Sequence, residues 1–362
     1  MSVLKLRFAF LNHCVKLKSV SKTSTHFFTS RPLSSSCVNL GPLSPEVVPP
    51  PHKIQRPRRA LLYVPGHDER KINKLQTLDV DCVALDCEDG VSLDKKEDAR
   101  NTIHKLYEET ASTFHGELCV RVNSPSSGFC ESDIENIFSM STLPPTVIVP
   151  KINSIQDITW MMNEKSRTIL GRPTKRLFNV IFMTESSKGL INLQKIIEAG
   201  ISACSPRFSC CHIAGIIFGS DDFCANLGIM RSKDASELIY ARQKIVATCK
   251  AFGLQAIDMV YIDFKDNDGL EKQSLEGARM GFTGKQVIHP NQIPIVQKSF
   301  TPSDELLKWA EDLTEAFENS TEKSKLNFHT QGAFTFRGQM IDLPTVLQAK
   351  NIKLFSDFIK KT

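Results

Sequence analysis

Eight apolar runs of strand length, each closing on a polar residue, constrain this chain more than any other feature. They are Ala60–Val64 with its turn Pro65-Gly66, Cys82–Leu85, Leu118–Val122, Thr146–Val149, Phe178–Met183, Gly215–Phe218, Ala256–Ile262 and Lys285–Ile288. Their starts lie about 22 to 42 residues apart, the size of a βα unit. The stretches between them mostly read as helices. In Ser236–Phe252, for instance, Leu238, Ile239, Arg242, Ile245, Val246 and Cys249 fall at helical spacing. Near-continuous apolar strands alternating with helices predict a parallel sheet covered on its outer face. Eight such units predict an α/β fold, a TIM (β/α)8 barrel, with a C-terminal extension left over. A doubly wound open sheet is the rival, but no Gly-x-Gly-x-x-Gly follows the first run.

In a barrel the C-terminal ends of all strands meet on one face, where distant residues become neighbours. The polar residues there are Gly66 and Asp68; Asp86, Glu88 and Asp89; Arg121 and Asn123; Lys151; Glu185; Asp221 and Asp222; Asp263; and His289. The run Cys82–Gly90 is the most concentrated, with three acids that repel unless a cation or donors compensate them. A solvated loop is the simpler reading, since Ser92 and Asp94 can cap the following helix. Several carboxylates with one Arg, one Lys and no Ser or Cys triad suit a hard divalent cation such as Mg²⁺. Such an ion holds oxygen-rich substrates, and Arg121 would match the carboxylate of a 2-oxo acid. Arg70, Lys71 and Lys74 after the first turn could grip a diphosphate, or could be a solvated helix face.

Of 45 Lys and Arg and 40 acids, residues 1–50 hold six and one, so the remainder carries 39 of each. A neutral body gives no footprint for nucleic acid. The leader, with Lys5, Arg7, Lys16, Lys18, Lys22, Arg31 and nine serines, has the composition of a mitochondrial transit peptide, and Pro42, Pro45 and Pro49–Pro51 form a linker. A matrix location follows as the expectation. No run reaches the length of a membrane span. Eleven cysteines lie scattered without a Cys-x-x-Cys, so free thiols are expected. Cys82, Cys87, Cys119 and Cys249 should pack as small hydrophobes. Cys204, Cys210, Cys211 and His212 lack the usual metal-ligand spacing.

Six motifs in order resemble the citrate lyase β-subunit and malyl-CoA lyase family: Leu61–Gly66, Leu85–Gly90, Arg121–Asn123, Val149–Lys151, Phe218–Phe223 and Gly284–Pro290. The tail Gly332–Asp342 matches as well, and the likeness spans about residues 56–345. The resemblance implies a trimer-forming TIM barrel that binds Mg²⁺, an acyl-CoA and a small 2-oxo acid. It puts Glu185 and Asp222 on the metal and Arg121 on the substrate carboxylate. Tyr63, Arg70, Lys74, Ile288 and His289 fall on coenzyme A or substrate positions. Asp342 falls on the catalytic acid/base, in a segment that reaches a neighbouring subunit's site. Asp86, Glu88 and Asp89 would then accept from metal-bound waters or fix nearby Arg and Lys side chains.

The implied reaction is a reverse Claisen cleavage of citramalyl-CoA to pyruvate and acetyl-CoA. Malate synthase-like condensation with thioester hydrolysis is the alternative, and a non-catalytic acyl-CoA sensor is the remote one. The implied organisation is residues 1–50 leader and linker, 51–300 catalytic barrel, and 301–362 helical extension carrying an active-site segment. Three departures from relatives stand out: a long Ile201–Gly215, a long Asn319–Gln331, and Arg70 where Lys is expected.

Overall fold

The computed structural model describes residues 56–109, 114–161, 178–203, 211–324 and 334–360, the last four residues before 325 by backbone alone. The leader, residues 204–210 of the first long segment and residues 325–331 of the second lie outside these residues. Eight parallel strands close into a barrel in chain order: β1 Ala60–Pro65, β2 Cys82–Asp86, β3 Glu117–Arg121, β4 Thr146–Val149, β5 Phe178–Thr184, β6 Cys211–Phe218, β7 Gln255–Asp258 and β8 Gly284–Val287. The last pairs with the first through Ala60–Lys285, Leu61–Gln286 and Leu62–Val287.

Two strand boundaries differ from the sequence reading by more than one residue. β6 starts at Cys211, four residues before Gly215, and carries a register shift against β5 between Val180 and Ile181. β7 stops at Asp258, and Met259–Ile262, apolar enough to read as strand, form a loop instead. That loop turns Val260 and Ile262 toward the barrel mouth.

Alternation along each strand sorts its side chains into two cores. Leu61, Cys82, Ala84, Cys119, Ile148, Ile181, Ala214, Ile217 and Ile257 fill the barrel interior, capped by Tyr63 and Met183. Leu62, Val64, Val83, Leu85, Val120, Val149, Phe182 and Phe218 point outward against the helices. In the helix Ile239–Ala251, Arg242, Ile245, Val246 and Cys249 are buried as the spacing predicts, whereas Ile239 stays partly exposed. Cys82, Cys87, Cys119 and Cys249 are buried free thiols. At the N-terminal end the interior is closed by Arg58, whose Nε and Nη2 donate to Glu117 at 2.5 and 2.8 Å and whose Nη1 donates to Gln255 at 2.9 Å.

The extension is not purely helical. The helix Asp304–Ser324 packs on a hairpin, β9 Phe334–Phe336 and β10 Gln339–Ile341, and on the helix Leu343–Lys360. Their buried residues Ala310, Leu313, Phe317, Ile341, Val346 and Ala349 form a third core, separate from the other two. No helix among the described residues is long and apolar enough to cross a membrane.

Candidate active site

A cavity of ≈ 810 Å³ opens at the C-terminal end of the barrel. Its floor is polar. Tyr63 Oη donates to Gln286 Oε1 at 3.0 Å, and Gln286 Nε2 donates to the carbonyls of Phe218 and Asp258, so one amide ties the ends of β1, β6 and β7. The Arg121 guanidinium lies over the Tyr63 ring at 4.7 Å. Its Nε and Nη2 each donate to Asp86 at 2.7 Å, a bidentate pair that fixes the plane of the fork. Asp86 also accepts the N–H of Glu88 and Gly90, both at 2.8 Å. Burial opposes its charge, yet Arg121 and these two N–H groups hold its pKa below the ordinary range. The first acid of the cluster therefore orients Arg121 and its own loop.

Glu88 and Asp89 meet Lys151. The ammonium stands 3.0 Å from Glu88 Oε1, 3.0 Å from Asp89 Oδ1 and 3.4 Å from Asp222 Oδ2. Arg121 Nη1 approaches Glu88 Oε2 at 3.1 Å. Lys151 adopts a left-handed backbone, φ 55°. For a residue with a Cβ this costs about 1–2 kcal/mol. The conformation aims its N–H at Glu185 Oε2, 2.6 Å away, while the side chain turns back to the acids. One residue thus organises four carboxylates.

Glu185 follows β5 and is buried. Burial first, then the charge of Glu88, pushes its pKa up to about 8, against the pull of the Lys151 N–H. Burial likewise raises Glu88 to about 7, although Arg121 opposes it. Gly219 makes room for Glu185, because a Cβ there would stand 2.5 Å from Glu185 Oε1. It also leads the helix Ser220–Leu227, whose first turn carries Asp221 and Asp222. Asp221 and Asp222 both line the cavity, and Asp221 also pairs with Arg231 at 3.2 Å.

The donors fit a hard cation. All are carboxylate oxygens, Glu185 has one N–H donor on Oε2, and both buried oxygens of Glu88 lack a hydrogen-bond partner. The Cys82, Glu117 and Cys119 group inside the barrel does not fit one, since Arg58 already occupies Glu117.

Along the rim, Lys71, Lys74, Leu75 and Leu78 face Ile262, Ile288 and His289. The His289 ring stacks on Phe264 with centroids 4.8 Å apart. Arg70 is exposed and does not line the cavity; its neighbour Lys71 does, because the short helix Glu69–Asn73, capped by Asp68, turns that face inward. Asp68 thus serves the helix, and Asp263 accepts the Lys265 N–H outside the cavity. Asp342 lies outside this chain's cavity as well. It caps the helix Leu343–Lys360, accepting from Thr345 N and Oγ1 at 3.2 and 2.7 Å, and these donors lower its pKa.

Sequence reasoning missed Gln286, Gly219 and Lys96. Gln286 and Gly219 lie inside the motifs Gly284–Pro290 and Phe218–Phe223 without a role of their own, and Lys96 donates to the Cys87 and Glu88 carbonyls, which only the fold brings to it.

Residues 59–290 match the HpcH/HpaI aldolase/citrate lyase family model. The chain is 47% identical over 307 residues to mitochondrial citramalyl-CoA lyase of Mus musculus, covering 84% of this chain and 88% of that one. It is 29% identical to (3S)-malyl-CoA thioesterase of Cereibacter sphaeroides, covering 81% and 93%. The crystal structure of CitE from Mycobacterium tuberculosis in complex with magnesium, acetoacetate and coenzyme A superposes with a TM-score of 0.62 at 26% identity, covering 83% of this chain and 98% of that one. A closed eight-stranded barrel, a carboxylate-lined mouth and a family match across both place this chain in the HpcH/HpaI aldolase/citrate lyase family.

Proposed function

We propose that this chain is a Mg²⁺-dependent carbon–carbon lyase that cleaves citramalyl-CoA to pyruvate and acetyl-CoA in mitochondria. The observation that carries the reading is the gathering of Glu185, Glu88, Asp89 and Asp222 beside a fixed Arg121 at the inner end of a cavity with a basic rim. The 47% identity to a mitochondrial citramalyl-CoA lyase supports the substrate and the location.

Glu185 and Asp222 would hold the metal. Bound Mg²⁺ supplies positive charge that eases ionisation of the tertiary hydroxyl and suits the carboxylate and carbonyl oxygens of a 2-oxo acid. Arg121, its plane set by Asp86 and Tyr63, holds the substrate carboxylate through what remains of its fork. Lys74, with Lys71 beside it, meets the coenzyme's phosphates, and Ile288 and His289 line its path. Asp342 protonates the acetyl-CoA enolate at carbon in cleavage and removes that proton in condensation. Its placement outside its own cavity supports delivery to a neighbouring subunit's site in a homotrimer.

The test is pyruvate release from citramalyl-CoA by wild type and Asp342→Ala, with Mg²⁺ and with a chelator. Metal-dependent release that Asp342→Ala loses supports the reading, and an inert wild type with Mg²⁺ refutes it. The malyl-CoA thioesterase relative favours one second reading, condensation of glyoxylate or another 2-oxo acid followed by thioester hydrolysis. Free CoA released from malyl-CoA measures it.

A further inference from the structure

Lys96 opens the helix Lys96–Glu109 and is 6% exposed. It pairs with no carboxylate among the described residues. Its ammonium donates at 2.7 Å to each of three neutral acceptors, the carbonyls of Cys87 and Glu88 and Asn123 Oδ1. Three donors meeting three acceptors is the full capacity of the group. A buried cation spent on loop carbonyls is costly unless those carbonyls must be held.

The loop it grips is the one that presents Glu88 and Asp89. That loop's N–H groups at Glu88 and Gly90 go to Asp86 on the barrel side, and its carbonyls at Cys87 and Glu88 go to Lys96 on the helix side. The clamp is itself braced. Asn123 donates its backbone N–H and Nδ2 to Asp133 Oδ2, both at 2.7 Å, and Asp133 pairs with Arg100 at 3.2 Å. The Glu88 carboxylate, by contrast, meets only two cations, Lys151 at 3.0 Å and Arg121 at 3.1 Å. Its position is therefore set by those two cations together with the backbone that Lys96 holds.

We propose that Lys96 is a positioning residue: by clamping the Cys87 and Glu88 carbonyls from behind, it sets where Glu88 and Asp89 stand around Lys151 and hence the geometry of the metal site. The proposal rests on the Mg²⁺-dependent reading for its consequence but not for the clamp. Removing such outer support from a metal site typically costs about 10–100-fold in metal affinity or activity.

Two readouts separate clamp from consequence. Hydrogen exchange at the Glu88 and Gly90 amides reports the clamp without any metal, and calorimetry with Mg²⁺ alone reports the site, with coenzyme A binding as the control. In Lys96→Met the two amides should exchange faster and Mg²⁺ binding should weaken about 10–100-fold while coenzyme A binding is kept. In Lys96→Ala, propylammonium should restore amide protection, and neutral propanol of the same size should not. If Lys96→Met does not fold, Asn123→Ala, which removes one of the three acceptors, should show the same split. A wild type that binds no Mg²⁺ sinks the functional reading, and the amide readout then still decides the clamp. Unchanged amide exchange in the folded variant overturns the proposal. So does parallel loss of Mg²⁺ and coenzyme A binding without rescue, which marks a merely structural lysine.

Discussion

Gly219 sits where two requirements meet, at φ −87°, a conformation open to any residue. Its value lies in the missing Cβ, which would crowd the Glu185 carboxylate rather than strain the backbone. Gly219→Ala should therefore leave the melting temperature nearly unchanged yet weaken Mg²⁺ binding about 10–100-fold, the usual cost of displacing a ligand's support. Calorimetry beside thermal unfolding checks the split. The two raised carboxyls make a further prediction. Glu88 and Glu185, at about 7 and about 8 against 4.5 unfolded, bind protons more tightly in the folded metal-free chain. Their contribution to stability is full below pH 4.5 and is lost as pH rises through 8. Ligands must be ionised to bind metal, so Mg²⁺ affinity should climb with pH and level off above about 8. Stability measured from pH 6 to 8 should fall in the metal-free protein and stay nearly level in the Mg²⁺-saturated one, whose carboxylates are already ionised.

Among the elements, the strands were legible because parallel strands buried on both faces read as unbroken apolar runs. The same signal overran at β7, since Met259, Val260, Tyr261 and Ile262 are apolar for a different reason, packing in a loop whose Val260 and Ile262 line the cavity. Site residues at strand ends were legible by position, including Asp86, Arg121, Lys151 and Glu185. Which partner each would take was not. Asp86 could equally have faced a metal-bound water, and only the register Asp86–Arg121 between β2 and β3 brings the fork to it. Lys96 was hidden in the charged run Lys95-Lys96-Glu97-Asp98, which reads as solvated, although one helical position separates exposed Lys95 from buried Lys96. Arg70 and Lys71 could not be told apart for the same reason, and of the two only Lys71 lines the cavity. The extension carries its own core, so damage there should stay local. Leu313→Ala, at a fully buried position, should cost about 2–5 kcal/mol. It should loosen the hairpin that ends at Asp342 and lower activity while coenzyme A binding to the barrel persists. Activity and coenzyme A titrations on the same preparation check it.

At the scale of the molecule, the barrel holds the charges and the extension carries Asp342, the proposed acid/base, which a single chain does not bring to its own cavity. A shared site predicts complementation. Asp342→Ala and Glu185→Gln subunits, each inactive alone, should regain activity when unfolded and refolded together, and should not if every chain is self-sufficient. The central claim is the chemistry itself, carbon–carbon cleavage through an enolate. It is tested most directly by mass spectrometry of the products formed from citramalyl-CoA with Mg²⁺ in heavy water. Pyruvate and acetyl-CoA carrying one deuterium in the methyl group are the predicted products, since the enolate must take a proton from an exchanged acid. Citramalate with free CoA, or acetyl-CoA without deuterium, would contradict it.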